Sequence, residues 1–234
     1  MFFTSISRGT TILGGRSINA ASYFIVALLL GFAPPAIGQE VGKLYAPRPP
    51  AGYAFVRVAR VGVGEVDMND SKIQFDGSNT TSRYRAIKPE KAVQISVDGV
   101  AIGGKIVPLP DQFSTIVLLQ TKSGWTSYVV EEGQSNISDL KVQLRFFNLV
   151  SGCQASLKVA DGPGIFDATA VNNVRSRAIN PVQATVQAIC ENATTSLPLP
   201  ALHAGDHFSL FLIDRDGKLD LTGQFDETEP YQGF

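Results

Sequence analysis

Arg83-Tyr84-Arg85-Ala86-Ile87-Lys88-Pro89 occurs again, ninety-two positions later, as Arg175-Ser176-Arg177-Ala178-Ile179-Asn180-Pro181. The surroundings repeat with it. Alternating apolar runs open each copy (residues 53–61, then 141–150), and a strand-like run follows each proline. Each copy also closes alike: Val107-Pro108-Leu109-Pro110-Asp111-Gln112-Phe113-Ser114 is answered by Leu197-Pro198-Leu199-Pro200 and then Gly205-Asp206-His207-Phe208-Ser209. A period of about ninety residues exceeds the ~20–50 residues of solenoid repeats, so the chain reads as two tandem copies of one small domain.

Within each copy the hydrophobic period is two. Val56 and Val58 alternate with Phe55, Arg57 and Ala59; Val93, Ile95 and Val97 alternate with polar neighbours; Val142, Leu144 and Phe146 keep phase, as do Val186, Ala188 and Cys190. No segment sustains a helical period. Asp216-Gly217 marks a hairpin turn that needs positive φ. Many short strands punctuated by Gly, Pro and Asp predict an all-β chain of two tandem small antiparallel β-sandwich domains rather than a parallel sheet. Expected boundaries are a first sandwich at 53–131, a short polar linker at 132–140, a second sandwich at 141–226 and a tail at 227–234.

Residues 1–38 read as a cleaved signal peptide: Arg8 and Arg16 precede the apolar run 23–33, and Ala36-Ile37-Gly38 supplies a small-x-small site. The apolar run is too short for the ~20 residues that span a bilayer. Residues 39–52 follow as an extended proline-rich arm. The segment carries two arginines and no acid, so cleavage takes the net charge from −1 to −3. Such a chain is not steered toward nucleic acid or anionic lipid. Export places Cys153 and Cys190, the two cysteines present, in an oxidising compartment, where a structural disulfide is expected; CxxC redox spacing is absent.

No constellation for catalysis stands out. His203 and His207 flank a Gly-Asp turn, and Ser209 lies beside His207 without an oriented third partner. Their H-x-x-x-H spacing would suit a metal on a helix, but the turn between them argues against one. Asp214, Asp216 and Asp220 resemble part of a calcium loop, yet Lys218 and Phe225 stand where ligands belong. No enzyme activity, cofactor or metal is therefore expected.

Positions that recur are the better candidates: Arg57 with Arg145, Arg83 with Arg175, and Arg85 with Arg177. Structurally, such arginines satisfy turn carbonyls or cover apolar surface with their stems. Functionally, a row of them would bind a partner's carboxylates or an acidic glycan. Trp125 with Tyr128 could form a sugar-stacking platform, or Trp125 could lid a small core. Tyr45 in the arm and the aromatic tail are possible docking elements.

Leu44-Tyr45-Ala46-Pro47, Phe55-Val56-Arg57-Val58, the opening of the second half at Val142 through Asn148-Leu149, Lys158-Val159-Ala160-Asp161-Gly162 and Arg177-Ala178-Ile179-Asn180-Pro181-Val182 together resemble the alginate O-acetylation accessory protein family, AlgF. The similarity spans residues 40–225. Cys153, Cys190 and the tail after Asp226 lie outside the family pattern. The resemblance implies a periplasmic, non-enzymatic adaptor that joins a membrane-bound O-acyltransferase to a periplasmic acetyltransferase. A polysaccharide-binding module for the anionic polymer is the alternative, and a covalent acetyl carrier on serine or histidine a third.

Overall fold

β-branched and aromatic residues at alternate positions favour pleated, half-buried backbone, and the alternating runs form strands in the same order twice. The computed structural model describes residues 51–77, 79–88, 90–133 and 139–231. The expected signal peptide at residues 1–38, residues 39–50 of the expected arm with Tyr45, residues 134–138 of the expected linker and residues 232–234 of the tail lie outside the described residues.

In the first copy the strands are β1 (Ala54–Val61), β2 (Val66–Met68), β3 (Ser71–Lys72), β4 (Arg85–Ile87), β5 (Val93–Val97), β6 (Val100–Ile106), β7 (Phe113–Thr121) and β8 (Gly124–Gly133). The second has β9 (Val142–Asn148), β10 (Ala155–Val159), β11 (Gly164–Thr169), β12 (Asn173–Ile179), β13 (Thr185–Cys190), β14 (Ala193–Pro198), β15 (His207–Arg215) and β16 (Lys218–Phe225). Each copy is a sandwich of two four-stranded sheets: β4-β1-β7-β8 over β3-β2-β5-β6, and β12-β9-β15-β16 over β11-β10-β13-β14.

Alternation along β1 sends Val56 and Val58 into the first sandwich with Ile95, Ile116 and Leu118. Along β9 it sends Leu144 and Phe146 into the second with Leu157, Ala188 and Leu210. The opposite faces of these strands build a third core, in which Ala59 and Val117 meet Phe147, Phe211 and Ile213. The two inner sheets are thus covered on both faces. That is why β9 is buried at every position and why residues 114–120 read as almost continuously apolar. The described residues belong to one compact unit. No helix among them is long and apolar enough to cross a membrane.

The all-β sandwich class is as expected, but one ladder in each inner sheet departs from the antiparallel pattern. β1 pairs with β7 in parallel, from Phe55 opposite Phe113 to Val61 opposite Leu119; β9 and β15 do the same. Parallel neighbours need a long crossover, and here the outer-sheet strands supply it. Alternation reports which face is buried, not which way the neighbour runs.

The repeated V-P-L-P and L-P-L-P stretches also fail to superpose residue on residue. Val93 faces Ile106 while its counterpart Val186 faces Leu197. Pro108 therefore takes the inward place that Leu199 fills in the second copy, and Val107 and Leu109 point outward.

Cys153 and Cys190 are bonded, and both lie in the second core. Two segments read as connector and tail are structured. β8 runs on through Gly133, two residues into the expected linker. After β16 the chain turns back to the first copy, where Thr228 makes a parallel bridge with Tyr84. The Tyr84 amide donates to the Glu227 carbonyl at 2.8 Å, and the Glu229 amide donates to the Tyr84 carbonyl at 2.7 Å. Beyond it the Tyr231 ring meets Tyr53 edge-on at 5.6 Å.

Candidate functional site

Where the inner sheets face each other, their apolar contact gives way at one end to charge. Arg57 on β1 and Arg145 on β9 point inward from matching positions. Each has a hydroxyl beside it across the parallel ladder, Thr115 opposite Arg57 and Ser209 opposite Arg145. Each copy also brings a carboxylate, Glu132 near the end of β8 and Asp226 just after β16. Glu132 is turned inward by a register break: Ser114 pairs with Glu131 while Phe113 pairs with Gly133, leaving Glu132 as the extra residue of a bulge.

The result is a closed ring of two cations and two anions with pseudo-twofold symmetry. Arg57 Nη1 donates to Asp226 Oδ1 at 2.6 Å, and Arg145 Nη1 donates to Asp226 Oδ2 at 2.7 Å. Glu132 Oε2 lies 3.4 Å from Arg57 Nη2 and 3.5 Å from Arg145 Nε. Thr115 donates to Glu132 at 2.5 Å and accepts from Arg57 Nε at 2.8 Å; Ser209 accepts from Arg57 Nη2 at 3.0 Å. Tyr84 breaks the symmetry, because its counterpart is Ser176. Its hydroxyl donates to Glu132 at 2.7 Å and its ring lies 4.4 Å from the Arg57 guanidinium.

All four charged side chains are at most 5% exposed. Desolvation alone would push Asp226 up, but Arg57 and Arg145, with hydrogen bonds from Ser209 and Arg57, outweigh it and hold the carboxyl below its ordinary value of 3.8. Burial alone would lower the Arg57 pKa; Glu132, Tyr84 and Asp226 raise it instead. A slip of either sheet by one residue would bury these charges unpaired, so the ring fixes how the copies face each other.

His207 lies on the same face, half-buried. Burial first, then Arg145, lowers its pKa from 6.5. A lowered histidine pKa means that the folded state resists protonation. Its contribution is complete above pH 6.5 and is lost as pH falls toward the folded value, and the depressed Asp226 acts in the same direction below 3.8. Stability is thus expected to decline in two stages on acidification. Urea titrations of the wild type and of His207→Asn should differ first as pH falls below 6.5; identical curves there would contradict this assignment.

The other repeated arginines are on the surface and engaged differently. Arg83 pairs with Asp76 and Glu227, both at 3.1 Å. Arg85 Nε and Nη2 grip Glu229 at 2.7 and 3.1 Å. Arg177 donates to the Ile165 carbonyl, while Arg175 is exposed on β12. Arg57 and Arg145 are therefore internal, out of reach of a partner. Trp125 and Tyr128 do not form one platform, since residues three apart in a strand point to opposite faces: Trp125 packs on the first core, Tyr128 on the third. His203 is exposed on its turn beside Asp206. Among the described residues no group of three His, Cys, Asp or Glu could hold a metal.

Glu132 and Asp226 were not legible as partners of the arginines, although they recur ninety-four positions apart. That recurrence is the signal that could have found them.

No protein-family model matches the chain. It is 28% identical over 200 residues to the alginate biosynthesis protein AlgF of Pseudomonas aeruginosa, covering 82% of this chain and 88% of that protein. The chain is AlgF-like. An alignment of that length takes in both copies, so the AlgF-like character belongs to the tandem arrangement and not to one half. The solved C-terminal domain of AlgF from P. aeruginosa is 27% identical, covers 37% of the AlgF-like chain and 98% of its own length, and superposes with a TM-score of 0.33.

Proposed function

We propose that this AlgF-like chain is a non-enzymatic periplasmic adaptor for O-acetylation of a secreted exopolysaccharide, alginate or alginate-like, that docks a membrane-bound O-acyltransferase to periplasmic acetyltransferases. The likeness to an alginate biosynthesis protein across both copies carries the proposal. The internal engagement of the polar groups supports it. Ser209, the hydroxyl nearest a histidine in sequence, accepts from Arg57 and is turned into the buried ring. Two similar sandwiches locked face to face present two outward surfaces at a fixed separation. Such a body raises the effective concentration of one bound enzyme for the other without touching the chemistry.

In a host lacking this gene, the full chain is expected to restore acetylation of the secreted polymer, whereas neither copy alone does so even when both are supplied as separate chains. Full restoration by one copy, or transfer of acetyl groups by the purified protein alone, would contradict the adaptor.

A further inference from the structure

We propose that β12 is the docking edge for an extended acidic segment of a partner protein, a Glu-x-Glu strand laid along Ser176 with one carboxylate on Arg175 and the other on Arg177. The template for such a complex lies in the first copy. There Thr228 bridges Tyr84 in parallel; the Tyr84 amide donates to the Glu227 carbonyl and the Glu229 amide to the Tyr84 carbonyl. Glu227 and Glu229, two apart and so on one side of their segment, pair with Arg83 and Arg85.

β12 is the matching edge of the second copy. Its register on β9, with Arg177 opposite Leu144, repeats that of β4 on β1, with Arg85 opposite Val56. The Gln143 amide is spent on Asp206, on the β15 side. β9 therefore bonds β12 through Val142, Leu144 and Phe146, and the amides and carbonyls of Ser176 and Ala178 face away from the sheet. Among the described residues no backbone bond meets them. Tyr84 is 1% exposed, whereas Arg175, Ser176, Arg177 and Ala178 are all exposed. Arg177 donates to a neutral carbonyl, that of Ile165, and neither arginine is in an ion pair among the described residues.

The chain also lacks carboxylates of its own for this edge. Ninety-four positions before Glu227 and Glu229, the interval that separates Glu132 from Asp226, stand Gly133 and Ser135. The arginine pair recurs and the glutamate pair does not. Charge along a sheet edge commonly keeps strands from pairing. On the first copy, however, the same arginines flank a paired segment, so they select an acidic strand rather than bar every strand. A glycan could meet the guanidiniums but not an outward amide and carbonyl at strand spacing. The C-terminal segment of a second copy is already engaged on its own Tyr84.

The inference does not rest on the adaptor reading, because peptide binding and capture of an acyltransferase are read separately and either can fail alone. The test is a titration of isotope-labelled protein, residues 39–234, with a capped peptide copying Asp226–Tyr231, followed through backbone amide shifts. Companion peptides carry glutamine for both glutamates, an N-methyl group on the second glutamate, or an N-methyl group on the threonine between them; an oligouronate is the glycan probe. We expect shifts centred on Ser176 and Ala178, and affinity about tenfold lower for the glutamine peptide and for Arg175→Gln with Arg177→Gln. Both arginines are exposed, so an unchanged melting temperature checks that this variant folds. Methylating the second glutamate removes the donor that Glu229 uses on Tyr84 and should abolish the shifts at Ser176. Methylating the threonine, whose amide points away from the edge, should leave binding intact. No peptide binding, shifts centred on Tyr84, an unaffected arginine variant, indifference to methylation of the second glutamate, tighter binding of the oligouronate, or a dimer of the free protein that the arginine variant dissolves would each overturn the proposal.

Discussion

Asp226→Ala is expected to lower the unfolding free energy by about 3–5 kcal/mol, the range for breaking a buried ion pair by removing one partner. Asp226 is bonded at under 3 Å to both arginines. Without it, two guanidiniums buried at 0% and 4% side-chain exposure lose their shortest carboxylate contacts and keep Glu132 at 3.4 and 3.5 Å. The cost is that of the stranded charge and not the net worth of the bond. Replacing Arg57, Arg145, Glu132 and Asp226 together by apolar residues of similar volume is accordingly expected to be far milder than the single change. Urea unfolding at pH 7 checks both, with an unchanged m-value as the sign that the folded state is the one affected. A single-variant loss below about 1 kcal/mol, the size expected of an exposed pair, would show that the ring is not buried in solution.

Cys153→Ala with Cys190→Val is expected to cost about 4 kcal/mol, because the bond closes a loop of thirty-seven residues' separation and the loop-entropy relation gives that figure. Valine at 190 copies Val97, the inward residue at the same place in the first copy, which limits the cavity. For a chain of this size the loss corresponds to roughly 8–16 °C in melting temperature. The wild type should show a similar fall on reduction, and the variant should not respond to reductant. If reduction leaves the wild type's melting temperature unchanged, the staple contributes nothing.

The repeat, the strand class and the cysteine pair were legible because each depends on local pattern: a recurring turn motif, period-two alternation, two thiols in a chain expected to be exported. Arg57 and Arg145 were legible as a matched pair but not as a buried one. Their carboxylates stand in segments that look like solvent-exposed connector and tail, Glu132 in Glu-Glu-Gly-Gln and Asp226 in Asp-Glu-Thr-Glu. A charge at the end of a strand reads as polar boundary unless something large covers it, and the cover here is the other copy. The same cause hid the bridge formed by Thr228: its partner, Tyr84, is far away in sequence, and a lone bridge leaves no periodicity. Trp125 and Tyr128 were misjudged as a pair for a simpler reason, since a strand separates residues at odd spacing.

The adaptor is tested most directly by passing detergent-solubilised host membranes over immobilised residues 39–234, with free polysaccharide as competitor, and identifying by mass spectrometry what is retained. The account predicts recovery of a membrane-bound O-acyltransferase that survives the competitor. Empty beads, or capture that polysaccharide displaces, would contradict it.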